Sequence, residues 1–155
     1  MNVNEKIKAL RTEMKRIGVQ AYIIPSADAH LSEYVATHWQ GRAYLSGFTG
    51  SAGTLVVTET ESGLWTDGRY FIQAESELAG SEVQLFKMGQ SGVPTITEYL
   101  ANTLQEGSCV GFDGKVLAAS NVLEMLKGLR EVNSLATKDE IRSVILDCSQ
   151  ILYKQ

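Results

Sequence analysis

The chain has 155 residues, 44% of them hydrophobic and 21% charged, with a formal net charge of −4. That is one domain's length, with enough apolar material to close a core unaided. It carries no Lys/Arg stripe and no apolar run longer than "AYIIP", so neither nucleic acid nor a membrane is an expected partner.

The opening "MNVNEKIKAL" is polar and charged, without the apolar core of a signal peptide. Cys109 and Cys148 lie far apart with no CxxC pairing. Two such thiols read as reduced structural residues, and the expected compartment is the cytoplasm.

Residues 4 to 17 read as an amphipathic helix. Asn4 supplies an N-cap, Gly18 a stop, and Val3, Ile7, Leu10, Met14 and Ile17 one apolar stripe. "VQAYIIPS" follows as a short apolar run closed by Pro25, the pattern of a buried strand. Ser26 and Asp28 can cap a short helix beginning near Ala29. Asp28, His30 and Glu33 fall within six residues, but on a helix only His30 and Glu33 could share a face, a metal needs a third and usually a fourth ligand, and His38 is the only other histidine. A capping or surface role is the preferred reading, and no metal site is assigned.

"RAYLSGFTGSAG", residues 42 to 53, holds Gly47, Gly50 and Gly53. It lacks a Walker lysine and runs into a strand, whereas phosphate loops run into a helix whose N-terminus faces the anion. Two readings remain. The glycines serve a tight turn with positive φ, or they keep the loop small so that something can approach closely.

"AGTLVVTE" and "GLWTD" read as strands joined in a hairpin across residues 59 to 62. "GRYFIQAESELAG" reads as a helix capped by Asp67 and ended by Gly80, with Phe71, Ala74 and Leu78 on its buried face. That leaves Arg69 and Tyr70 at a strand-to-helix junction, the place where α/β sheets bind ligands, and the Arg fork is shaped for a carboxylate. The local alternative is that Asp67 caps, Arg69 pairs with an acid and Tyr70 packs. "EVQLFKM" reads as a strand, "PTITEYLANTL" as a helix from Pro94 with Ile96, Tyr99, Leu100 and Leu104 inward, and "SCVGFD" as a strand. Residues 121 to 129 read as a further helix, and 137 to 155 as a last one.

These elements predict an α/β fold: a single three-layer domain, a mixed parallel and antiparallel sheet with helices on both faces. The expected domain is 1–135, with 136–155 a tail that is a helix or the start of a linker. No nucleophile-and-base set is present, so no catalytic residue is assigned.

Together "YIIPSADAHLSEY", "GRAYLSGFTGSAGTLVVT" and "LWTDGRYFIQAE" resemble the N-terminal domain of Xaa-Pro aminopeptidases (aminopeptidase P), the creatinase/prolidase N-terminal fold. The likeness covers residues 19 to 78, and "LFKMG" with "VPTITEYLANTLQEGSCVGFD" extends it to about residue 113. The tail departs from the strand and Trp-containing linker the family would place there.

The resemblance implies a non-catalytic domain of a longer peptidase that removes an N-terminal residue preceding proline. In that family the catalytic domain holds two divalent metals, commonly manganese, and this chain has no matching ligand segments. The implied partners are the remaining domains, a second copy in a homodimer, and a peptide with proline at its second position. The resemblance further implies that the loop "SGFTGSAG" reaches the mouth of an active site. Phe48, Arg69 and Tyr70 are then the expected substrate-binding residues. An outward Phe48 predicts that Phe48→Ala lowers catalytic efficiency and leaves domain stability nearly unchanged. The alternative is a stand-alone binding, regulatory or structural module of the same fold without peptidase activity.

Overall fold

A computed structural model describes residues 1–25, 41–105 and 108–112. Helix α1, Val3–Ile17, starts on a capping box in which the Asn2 side chain accepts from the Glu5 amide while Glu5 reaches back to the Asn2 amide. Asn4, the cap expected from the sequence, instead accepts the Glu82 amide at 2.9 Å through its side chain and ties the helix to the start of a strand. Gly18 closes α1 at φ +80, in the left-handed region that glycine enters without strain.

Strand β1, Ala21–Pro25, pairs antiparallel with β2, Thr54–Thr58, which pairs antiparallel with β3, Ser62–Thr66. Strand β4, Gln84–Lys87, adds parallel to β3, and β5, Val110–Phe112, adds parallel to β1. The sheet order is β4-β3-β2-β1-β5. Four strands therefore run one way and only β2 runs against them, which is the mixed sheet expected from the sequence.

Alternation along the strands divides the core in two. Tyr22, Ile24, Leu55, Val57 and Leu64 face α1, the short helix α2 (Gly41–Ser46) and α3 (Phe71–Leu78), meeting Ile7, Leu10, Met14, Leu45, Ala74 and Leu78. Ala21, Ile23, Val56, Trp65, Val110 and Phe112 face α4 (Ile96–Thr103) through Tyr99, Leu100 and Ala101. Each fully buried large side chain contributes roughly 1.5–3 kcal/mol of transfer free energy, so the two packed layers carry most of the stabilisation. Helix α4 is capped by Thr95 with Glu98 completing the box, one residue after Pro94.

The sequence reading missed α2, which occupies the first half of the glycine-rich stretch. The helices expected near Ala29, at 121–129 and at 137–155 lie outside the described residues, as do Asp28, His30, Glu33, His38 and Cys148. Among the described residues no helix is long and apolar enough to cross a membrane.

Candidate functional site

Because β1, β3, β4 and β5 are parallel, their C-terminal ends share one edge of the sheet, and the chain enters β2 at that same edge. The glycine-rich loop 47–53 and the turn after β3 therefore meet there. Asp67 caps a 3-10 turn, Gly68–Tyr70, accepting from the Arg69 amide at 3.0 Å, and α3 continues from it.

The loop is pinned at several points. Gly47 leaves α2 at φ +76, where a side chain would be strained. The Phe48 amide donates to Ser46 Oγ at 3.1 Å. The Thr49 amide and hydroxyl both donate to the Glu77 carboxylate, at 2.7 and 2.8 Å, and Gln73 adds a further bond to the same carboxylate. Thr66 Oγ1 donates to the Ala52 carbonyl at 2.7 Å, and Ser51 Oγ bonds the Tyr70 hydroxyl.

Phe48 is fully buried, and this corrects the expectation that the loop presents its ring outward. After the reversal at Gly47 the side chain folds beneath its own loop. A Cβ on Gly50 would collide with the Phe48 and Tyr70 rings, and one on Gly53 would sit 3.1 Å from Arg42 Nη1 and 3.2 Å from the Phe48 ring. Both readings of the glycines are realised, at different positions: Gly47 supplies the positive φ, while Gly50 and Gly53 permit close approach. What approaches is the chain's own Phe48.

Arg42, on α2, is the buried polar residue that the sequence reading missed. Its guanidinium donates to the Gly50 carbonyl and, at 3.4 Å, to the Gly53 carbonyl, and lies 5.0 Å from the centroid of the Phe48 ring. Burial pushes its pKa down to about 10, with the charge of Glu77 and the nearby Tyr70 opposing that fall, so it stays protonated at neutral pH. Burial likewise raises the Glu77 carboxyl, but the bonds from Gln73 and Thr49 and the charge of Arg42 outweigh it, and the net displacement is downward.

Arg69 stands exposed at this edge, and Tyr70 beside it turns its ring toward the core. The Arg69 side chain is 71% exposed and binds Asp67 through Nε at 3.0 Å and Nη2 at 2.9 Å. That bond lowers the Asp67 pKa and raises that of Arg69. Tyr70 is half-buried, meeting Phe48 edge-on at 6.0 Å between centroids, with the Arg69 guanidinium 5.2 Å from its ring. The assignment of Phe71 to the core stripe is corrected: Tyr70, Ala74 and Leu78 share the inward face at i, i+4 and i+8, while Phe71 sits partly covered under Lys87. The 3-10 turn shifts the phase by one residue.

This edge can hold an anionic or carbonyl oxygen on an exposed guanidinium backed by an aromatic ring. Among the described residues no three of His, Cys, Asp and Glu converge, so these residues do not fit the two divalent metals that the resemblance implies for the longer enzyme.

The chain belongs to the creatinase/prolidase N-terminal domain family, whose match runs over residues 6–144. It is 46% identical to Aminopeptidase P2 of Arabidopsis thaliana over 84% of its own length, and 39% identical to Xaa-Pro aminopeptidase 1 of Dictyostelium discoideum over 94%. It spans only 19% and 23% of those two relatives, about a fifth of their length. Among solved structures, X-prolyl aminopeptidase from Caenorhabditis elegans, described as a cytosolic enzyme with a di-nuclear active site, superposes with a TM-score of 0.79 at 37% identity. That superposition covers 85% of this chain and 23% of the worm enzyme. The N-terminal domain of a cytoplasmic peptidase from Mycobacterium tuberculosis superposes with a TM-score of 0.58 at 27% identity, covering 91% of this chain and 98% of that domain.

Proposed function

We propose that the chain is the non-catalytic N-terminal domain of a cytoplasmic, metal-dependent Xaa-Pro aminopeptidase. In this reading it helps shape the substrate entrance and the oligomer, a homodimer. The observation that carries this is the coverage: 84% and 94% of this chain align with about a fifth of Aminopeptidase P2 and of Xaa-Pro aminopeptidase 1. The two divalent metals, manganese in this reading, belong to the catalytic part, where they would supply a hydroxide for attack on the bond before proline. This domain's share is recognition. Arg69 and the exposed part of the Tyr70 ring face the catalytic part or the peptide, Arg69 offering a substrate oxygen the guanidinium N–H groups that Asp67 leaves free, while Phe48 supports them from beneath.

The test compares two preparations on an Xaa-Pro peptide with added manganese. The 155-residue chain alone is expected to leave the peptide intact, and the full-length peptidase to release its first residue. Hydrolysis by the chain alone would overturn the non-catalytic assignment, and inactivity of the full-length protein would overturn the peptidase assignment.

A further inference from the structure

Two cations bracket two aromatic rings at the sheet edge. Arg42 lies on Phe48, Phe48 meets Tyr70 edge-on, and Tyr70 carries Arg69 on its face, so that a continuous column runs from the buried interior to the exposed corner. The first two steps cross between backbone segments: α2 provides Arg42, the glycine loop Phe48, and the 3-10 turn both Tyr70 and Arg69. We propose that Arg42 is a positioning residue for substrate recognition: by fixing the Phe48 ring and the Gly50 and Gly53 carbonyls from within, it sets where Tyr70, and with it Arg69, stand.

The inference rests on the reading that Arg69 faces substrate. The bond from Arg69 to Asp67 spans two residues of one turn, so it fixes the guanidinium relative to that turn and not relative to the rest of the fold. The longer-range reference comes from the Tyr70 ring on Phe48 and from the Tyr70 hydroxyl on Ser51. Both of those partners belong to the loop that Arg42 holds through two carbonyls. Lysine at position 42 would keep the charge but lose the planar face on Phe48 and the fork that reaches both carbonyls. Glu77, which ties Thr49 from the outer side, would remain in place and keep the loop attached in such a variant.

A double-mutant cycle in the full-length peptidase tests this. For an Xaa-Pro peptide, Arg42→Lys is expected to raise KM about tenfold with kcat within about twofold, and Arg69→Ala to raise KM at least as much. The double variant should then be no worse than Arg69→Ala alone, because Arg42 acts through Arg69. Multiplicative effects would overturn the proposal, as would a lowered Tm with normal KM in Arg42→Lys. Should Arg42→Lys fail to fold, Phe48→Leu interrupts the same column at its second member and must show the same non-additivity with Arg69→Ala. A readout free of turnover comes from amide exchange in the 155-residue chain. The Phe48 and Tyr70 amides should exchange at least about tenfold faster in Arg42→Lys while the Thr49 amide on Glu77 stays protected, and unchanged exchange at Phe48 and Tyr70 would overturn the column. If the wild-type peptidase does not cleave Xaa-Pro peptides, the assigned activity fails while amide exchange still judges the column.

Discussion

The two faces of the sheet use aromatic residues in the same way up to a point and then diverge. On the α4 face, Trp65 stacks on Phe86 with centroids 4.0 Å apart and planes 4° from parallel, and Tyr99 closes the group edge-on to both. A Cβ on Gly63 would collide with Phe86, just as one on Gly50 would collide with Phe48 on the opposite face. Each face thus has a ring seated on a glycine. The α4 cluster ends in two hydrogen bonds within the fold, Trp65 Nε1 to the Pro94 carbonyl at 3.0 Å and the Tyr99 hydroxyl to Glu61 at 2.5 Å. The other column has a buried cation at its base and emerges at an exposed cation. The first arrangement stabilises; the second also carries the position of the core to the surface.

The largest expected effect comes from Phe48→Ala, which removes a fully buried ring and should cost about 3–5 kcal/mol in denaturant unfolding. This replaces the near-zero stability effect predicted from the sequence for an outward ring. Leu10→Ala, in the buried stripe of α1, should cost roughly 2–5 kcal/mol by the same measurement. Gly63→Ala and Gly50→Ala should each cost about 1–3 kcal/mol through overpacking, and only Gly50→Ala should also alter peptide hydrolysis in the full-length enzyme.

Titration separates the faces further. The Glu77 carboxyl sits below its ordinary value of 4.5, so the unfolded chain binds that proton more tightly. The stability contributed is present above pH 4.5 and lost as pH falls through the folded value. Glu77→Gln should flatten that acid limb in a pH series of urea midpoints. Tyr99 is pushed up from 10.0 to about 12, first by burial and then by its bond to Glu61. Its contribution is therefore present below pH 10 and lost as pH rises through about 12, and Tyr99→Phe should remove it. Arg42, lowered to about 10, acts with the opposite sign over the same alkaline range, which makes the Tyr99→Phe difference the informative quantity.

Much of this was legible in the sequence. The α1 stripe, the hairpin, the Asp67 cap and the inward residues of α4 all follow from spacing and turn chemistry, because each is decided within a few residues. Arg69 and Tyr70 could be placed at the edge because a strand ends at Thr66 immediately before them. What escaped reading depends on tertiary closure. Helix α2 is six residues long, too short for a period to declare itself, although "GRAYLS" before a glycine is compatible with a turn or two of helix. Arginine is so rarely buried that position 42 gave no signal without its two carbonyls and its ring. The exchange of roles between Tyr70 and Phe71 turns on one 3-10 turn that no residue type announces. The Asn2 cap was readable, since Glu5 stands at the spacing of a capping box, three residues after Asn2.

The central claim is that the column ending at Arg69 serves recognition while the α4 face serves stability. The most direct measurement is KM and Tm for Arg69→Ala in the full-length peptidase. Because the side chain is exposed, stability should change by no more than about 0.5 kcal/mol, while KM for an Xaa-Pro peptide should rise about tenfold. An unchanged KM with Tm unaltered would contradict the account and leave the edge as a capped turn.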